Sequence, residues 1–277
     1  MKILALNTSH RGDQGQTHLF LDLLFHGAGE AGAECEVVTL ARLKINRCLS
    51  CYRCQTGEPH LVCAYDDKDE MRGVLDRMAA ADILIFATPI YLMTMTGLLK
   101  TFLDRLYSTM NISQGELSDC GLIHHHKNPA ISSKPFVTMV VSSNIERESW
   151  KSVPAYFRTY ARFMNAPQVG VLVRNAAGLF SQMEDPEVSS QFPRLAKVCQ
   201  AYEQAGRELA TLGRVRPSTQ RRTNQEIVSM PFFGLLKHLR PVKRRVLAVS
   251  DAMWSGTSES GRAVVGEPAA AKTMEIS

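Results

Sequence analysis

No stretch of this 277-residue chain carries 18 consecutive apolar residues, so no conventional membrane-spanning helix is expected. The opening, MKILALNTSH, has only a four-residue apolar run, too short for the core of a signal peptide. It reads as a strand and predicts a cytoplasmic protein. The first glycine-containing loop lacks both G-x-G-x-x-G and a G-K-[ST] ending, which weakens dinucleotide-fold and P-loop readings. No Ser/His/Asp or paired-carboxylate constellation stands out, so no acid–base residue is named. Internal repeats are missing too. What remains is an ordinary globular composition, 45% hydrophobic and 21% charged, able to bury a full core.

Charge is unevenly placed. Residues 214–277 hold eleven Lys or Arg against five acids, an excess larger than the whole chain's net +5. The basic character therefore belongs to the tail and says little about the main domain's partners.

From 1 to 213, strand-like runs alternate with helical periodicity. ILALN, CEVVTL (35–40), ILIFATP (83–89), FVTMVVSS (136–143) and VGVLV (169–173) read as strands. The third is apolar throughout, as suits a strand covered on both faces. Helices are expected around residues 20–31, from Met71 with Asp67 as N-cap, and over 97–110, 150–164 and 194–212. Five strands, each followed by a helix, predict an α/β fold with a doubly wound parallel sheet. Residues 111–134 read as a polar insertion. Beyond 213 the pattern predicts a basic and apolar extension (214–254), then a disordered tail (255–277).

In such a sheet, ligands lie beyond the carboxyl ends of the strands at the topological switch point. The loop after the first strand, NTSHRGDQGQTHLF, offers Ser9, Gln16 and Thr17 as donors, two glycines and Arg11 ahead of a helix N-terminus. That combination suits a phosphate, although a simple Ser/Gly turn has the same composition. The loop TPIYLMTMTG places Tyr91 and Met93 where a flat heteroaromatic ring could rest, or where they merely pack under a loop. Asp104 and Arg105 read as pairs on a helix surface or interface.

Four of the seven cysteines, Cys48, Cys51, Cys54 and Cys63, follow the spacing C-x2-C-x2-C-x8-C. Three readings stand: a [4Fe–4S] cluster, redox-active thiols, or a zinc site that recruits His60. His124–His126 read as a solvated loop. The segment SMPFFGLLKHLRPVKRR suits docking on the domain or weak contact with an anionic membrane surface. Nucleic-acid binding is not expected without a recognised module.

Taken together, the motifs S-x-R-x-x-x-G-x-T, C-x2-C-x2-C…C-x-x-D-D and P-I-Y-x5-G-L-L-K-T-F-L-D-R resemble the NADPH-dependent FMN reductase and iron–sulfur flavoprotein family, across about residues 1–175. The resemblance implies a flavodoxin-like fold with strand order 2-1-3-4-5. It implies that Ser9, Arg11, Gln16 and Thr17 hold the FMN phosphate. Pro89, Ile90, Tyr91, Leu92, Met93 and Thr94 would border the isoalloxazine, with Ser142, Ser143 and Asn144 on its far side. His10, Gln16 and the Leu92-Met93 pair depart from the usual family residues, the last altering the wall over the ring. The expected function is an FMN-dependent NAD(P)H oxidoreductase reducing a quinone, flavin or similar acceptor. An electron carrier between redox proteins is the alternative, and a thiol or zinc sensor the second. A homo-oligomer is expected, because neighbouring subunits commonly complete the family's FMN site.

Overall fold

In the computed structural model, residues 1–58 and 60–228 are described, together with positions 239–241, 244 and 247. The tail expected to be disordered (255–277) and the segment SMPFFGLLKHLRPVKRR lie almost wholly outside them.

The amino-terminal half runs β1 (Lys2–Asn7), α1 (Gln16–Glu30), β2 (Glu34–Thr39), a short α2 (Arg53–Thr56), α3 (Met71–Ala80), β3 (Ile83–Pro89) and α4 (Gly97–Arg105). It continues with β4 (Met110–Leu117), β5 (Ile123–Lys127), α5 (Pro129–Ser132), β6 (Phe136–Val141), α6 (Ser152–Met164) and β7 (Gln168–Arg174). Three helices follow: α7 (Pro186–Gln191), α8 (Arg194–Leu212) and α9 (Pro217–Thr223). The main sheet is parallel in the order β2-β1-β3-β6-β7. With β4 and β5 set aside, this is the expected 2-1-3-4-5, a flavodoxin-like doubly wound sheet.

Continuous apolar strands arise because both faces are covered. Ile3, Ala5, Ile83, Ile85, Val137 and Met139 pack toward α1 and α8 with Phe20, Leu24 and Tyr202. Leu4, Leu6, Leu84, Phe86, Phe136 and Val140 face Met78, Phe102 and Phe157 on the opposite side. Helices α1 and α8 approach backbone to backbone. A Cβ on Gly27 would lie 1.9 Å from the Glu203 carbonyl oxygen, and one on Gly206 would lie 1.8 Å from that of Leu24.

Several local expectations change. Asp67 does not cap α3: the N-cap is Glu70, without a side-chain bond, and Asp69 accepts from the Met71 N–H at 3.2 Å. The helix expected to reach 110 ends at Arg105 and tightens into a 3-10 turn through Thr109. The supposed polar insertion is an antiparallel β4–β5 hairpin followed by α5. Its histidines therefore stand on a strand, where His126 bonds Glu116 at 2.5 Å and His124 bonds the His125 carbonyl at 2.8 Å. Tertiary pairing organises residues whose polarity alone suggested a loop.

The chain after Gly213 remains part of this structure as far as Val228. The Val215 N–H bonds the Val169 carbonyl at 2.9 Å. The side-chain oxygens of Gln220 and Asn224 accept from Val171 and Val173, each at 2.7 Å. Two amide side chains thus take the place of a sixth strand along the β7 edge, which would otherwise present unpaired backbone groups.

Candidate functional site

At the carboxyl ends of β1, β3 and β6, three loops enclose an open cleft of about 520 Å³. The first comes from the β1–α1 loop. Asn7 Oδ1 accepts from the Ser9 N–H at 3.1 Å, and Ser9 Oγ accepts from the Arg11 N–H at 3.2 Å, which curls the loop back on itself. Gly12 takes φ +55°, and a Cβ on Gly15 would meet Ser9 Oγ at 2.6 Å. Only glycine leaves room for that close approach. No side chain caps the N-terminus of the 15-residue α1, and its first turn has no acid. Its leading N–H groups are therefore available to an anion. The Thr17 hydroxyl is buried and has no hydrogen-bond partner. Ser9, Arg11, Gly15, Gln16 and Thr17 all line the cleft. An uncapped helix start beside an orphaned buried hydroxyl fits the phosphate end of FMN.

The second wall is Pro89–Met93. Thr96 accepts from the Leu99 N–H at 3.2 Å and starts α4, leaving the residues before it as a tight loop. Tyr91 and Thr94 exchange backbone hydrogen bonds of 3.0 and 3.3 Å around a two-residue turn. Both turn residues sit at positive φ, Leu92 at 45° and Met93 at 66°. Their side chains are 90% and 64% exposed. Thr94 closes this turn and does not line the cleft. Ser152 on α6 donates to the Met93 carbonyl at 2.9 Å. The His10 and Tyr91 rings stack with centroids 5.7 Å apart, joining the first loop to the second.

Ser142, Ser143 and Asn144 form the far side, with Val141 and Ser149. Ser142 Oγ accepts from the Asn144 N–H at 3.2 Å, and the Asn144 side chain accepts from the Glu146 N–H at 2.8 Å. The expected FMN-site residues thus converge, Thr94 excepted. Val141 and Ser149 join them without any signal in the sequence, because nothing local distinguishes an apolar strand end or a serine in a 3-10 turn.

The cysteine segment forms a second feature. Cys48, Cys51, Cys54 and Cys63 line one hollow of about 20 Å³. Ser50 and Tyr52, both at positive φ, curl the C-x2-C-x2-C run, whose three cysteines all line this hollow. Gln55 fastens it: its Nε2 donates to the carbonyls of Tyr107 at 3.2 Å and Met110 at 2.8 Å, and its Oε1 accepts from the Ile112 N–H at 3.1 Å. Burial raises the Cys54 thiol above its ordinary range. His60 is exposed and does not line the hollow.

Among the described residues, no three His, Cys, Asp or Glu side chains gather tightly enough for a single metal ion. A zinc ion needs four ligands within about 2.3 Å of one point. A four-iron cluster instead meets each thiolate at a different iron, so thiols spread around a hollow suit it better. Of the other cysteines, Cys120 is exposed beside the hairpin, while Cys35 and Cys199 are partly buried.

Arg105 corrects the expectation of a surface pair. Its side chain is 1% exposed, lines the cysteine hollow and pairs with Asp69 and Asp66. Burial opposes its charge, but the Asp69 hydrogen bond and the neighbouring negative groups hold its pKa above the ordinary arginine value. Asp104, by contrast, does form the expected surface pair with Lys100.

None of the described helices is long and apolar enough to cross a membrane. The model of the NADPH-dependent FMN reductase family matches residues 1–169. An iron–sulfur flavoprotein of Archaeoglobus fulgidus is 31% identical over 105 residues, 38% of this chain and 48% of that protein. One from Methanocaldococcus jannaschii is 35% identical over 105 residues, 38% of this chain and 50% of that protein. The chain spans about half the length of these curated relatives. The structure of an FMN-dependent NADH-azoreductase from Bacillus anthracis superposes with TM-score 0.54 at 14% identity, covering 76% of this chain and 99% of the other. A NAD(P)H:quinone oxidoreductase from Methanothermobacter marburgensis gives TM-score 0.52 at 16% identity, covering 76% and 96%. These two likenesses concern the fold.

Proposed function

Because the chain belongs to the NADPH-dependent FMN reductase family, we propose that it is an FMN-dependent NAD(P)H oxidoreductase with the cysteine segment as a second redox site. The observation that carries the first part is the uncapped α1 N-terminus with the unpartnered Thr17 hydroxyl, at the switch point of the sheet. Ser9, Arg11, Gln16 and Thr17 would hold the phosphate by charge and N–H donation. Pro89–Met93 and Ser142–Asn144 would border the ring. When bound, FMN accepts hydride from a nicotinamide and releases electrons singly or in pairs.

The chain's own contribution is placement. The His10–Tyr91 stack and the Ser152–Met93 hydrogen bond tie both loops and α6 into one rim. Leu92 and Met93 give that rim an apolar edge, which favours a flat, weakly polar acceptor such as a quinone or a flavin. The four thiols around one hollow support a [4Fe–4S] cluster in preference to zinc. Cys51 and Tyr52, which line that hollow, are both exposed and leave it open to solvent.

The test is anaerobic purification, with flavin, iron and sulfide counted against protein and NAD(P)H oxidation followed with a benzoquinone acceptor. Expected are one flavin, a four-iron complement and quinone-dependent oxidation. A flavin spectrum without iron would remove the cluster. Failure to take up FMN would remove the whole proposal, while reduction by ferredoxin without NAD(P)H oxidation would favour the carrier.

A further inference from the structure

Arg105 ends α4, the helix that begins just after the ring-side loop. Its Nη1 donates to the Asn46 carbonyl at 3.0 Å and to Asp69, and its Nη2 reaches Asp66 and Asp69, each at 3.4 Å. Asn46 stands two residues before the first cysteine of the motif, and both aspartates follow the last. One guanidinium thus closes the neck of the whole cysteine loop. Asp66 also accepts from the Cys63 N–H at 3.2 Å, so the Arg105–Asp66 contact extends to the backbone of the fourth cysteine. This link bears on the long x8 gap: the position of Cys63 is set by Asp66, three residues on, as well as by the spacing before it.

The remaining donor of Arg105 is its Nε–H, which is buried and has no partner. A buried donor left unsatisfied is costly to the folded chain. Arg105 shares the cysteine hollow, where the four thiols supply sulfur acceptors. Resting on the cluster reading above, we infer that Arg105 is a positioning residue for the metal–thiolate site: its terminal nitrogens lock the loop, and its Nε–H is held for a cluster or cysteinyl sulfur. Hydrogen bonds to those sulfurs favour the more negative, reduced state and so raise the reduction potential.

Two variants test this. Arg105→Lys keeps the charge and deletes the Nε–H donor. The double variant Arg105→Met/Asp69→Asn also deletes it while removing the partner charge, which keeps the test decisive where the lysine variant does not fold. Iron and sulfide per FMN, the rate of iron loss to a chelator and the cluster midpoint potential are measured, with FMN content as the folding control. Expected are normal FMN content, several-fold faster iron loss and a more negative midpoint. Wild-type loading and an unshifted midpoint in the folded variants would overturn the role of Arg105 while leaving the cluster in place. Wild-type protein that takes up no iron or sulfide on reconstitution would overturn the cluster reading itself, and this inference with it.

Discussion

Thr17 shows how one atom separates binding from stability. Its hydroxyl is buried without a partner, so the folded chain bears its desolvation cost with no return. A hydrogen bond to a charged group is worth about 1.5–3 kcal/mol. Thr17→Val is therefore expected to weaken FMN binding by about tenfold or more, at equal or slightly higher unfolding stability. Flavin fluorescence titration and urea denaturation check the two halves separately. Thr17 was legible in the sequence because a glycine, a hydroxyl and a helix start fall together after an apolar strand. Arg105 was not. Its neighbours Lys100 and Asp104 pair on the surface, and only the fold shows that Arg105 leaves that surface for Asp66 and Asp69.

Among the elements, the Tyr91–Thr94 turn carries the clearest local conflict. Two consecutive positive-φ positions favour Asn-Gly, yet the turn holds Leu92-Met93 with both side chains largely in solvent. Left-handed backbone at such residues costs about 1–2 kcal/mol each. The double substitution Leu92→Asn/Met93→Gly is expected to stabilise the chain by about 1–3 kcal/mol in urea denaturation. If the apolar edge serves the acceptor, the same variant raises KM for an apolar quinone by a larger factor than it weakens FMN binding. The β4–β5 hairpin makes the complementary point. Its residues are polar and histidine-rich, and its antiparallel pairing could not be read from one strand without the other.

The whole molecule depends on contacts between segments far apart in sequence. At the β7 edge, Asn224 accepts from the Val173 N–H at 2.7 Å and donates to the Val171 carbonyl at 2.9 Å. Asn224→Ala is expected to cost about 2 kcal/mol, because two backbone groups lose their partner together. Ending the chain at Gly213 would also uncover the edge and promote association, visible by light scattering.

Asp69 supplies the acid limb of stability. Burial alone would raise its pKa, but hydrogen bonds from Arg105 and from the Asn46 and Met71 N–H groups outweigh that and hold it below the ordinary carboxylate value. Its contribution is therefore fully present above the unfolded value of about 4 and is lost as pH falls through the lower folded value. Asp69→Asn should be less stable than the wild type at pH 7, and the difference should shrink below about pH 4. Equilibrium denaturation across that range measures it.

The alternation of apolar strands and amphipathic helices, and hence a doubly wound sheet, follows from the order of residues alone. That order also specified the glycine and hydroxyl chemistry of the first loop and the spacing of the cysteine motif. These are local properties, written in periodicity and residue type. Only the folded chain shows that the four cysteines line one hollow, that Arg105 is buried at its neck, and that residues after 213 complete the sheet edge. Each of those outcomes joins residues tens of positions apart. The energies involved depend on burial and on the partner's position, neither of which a single segment contains.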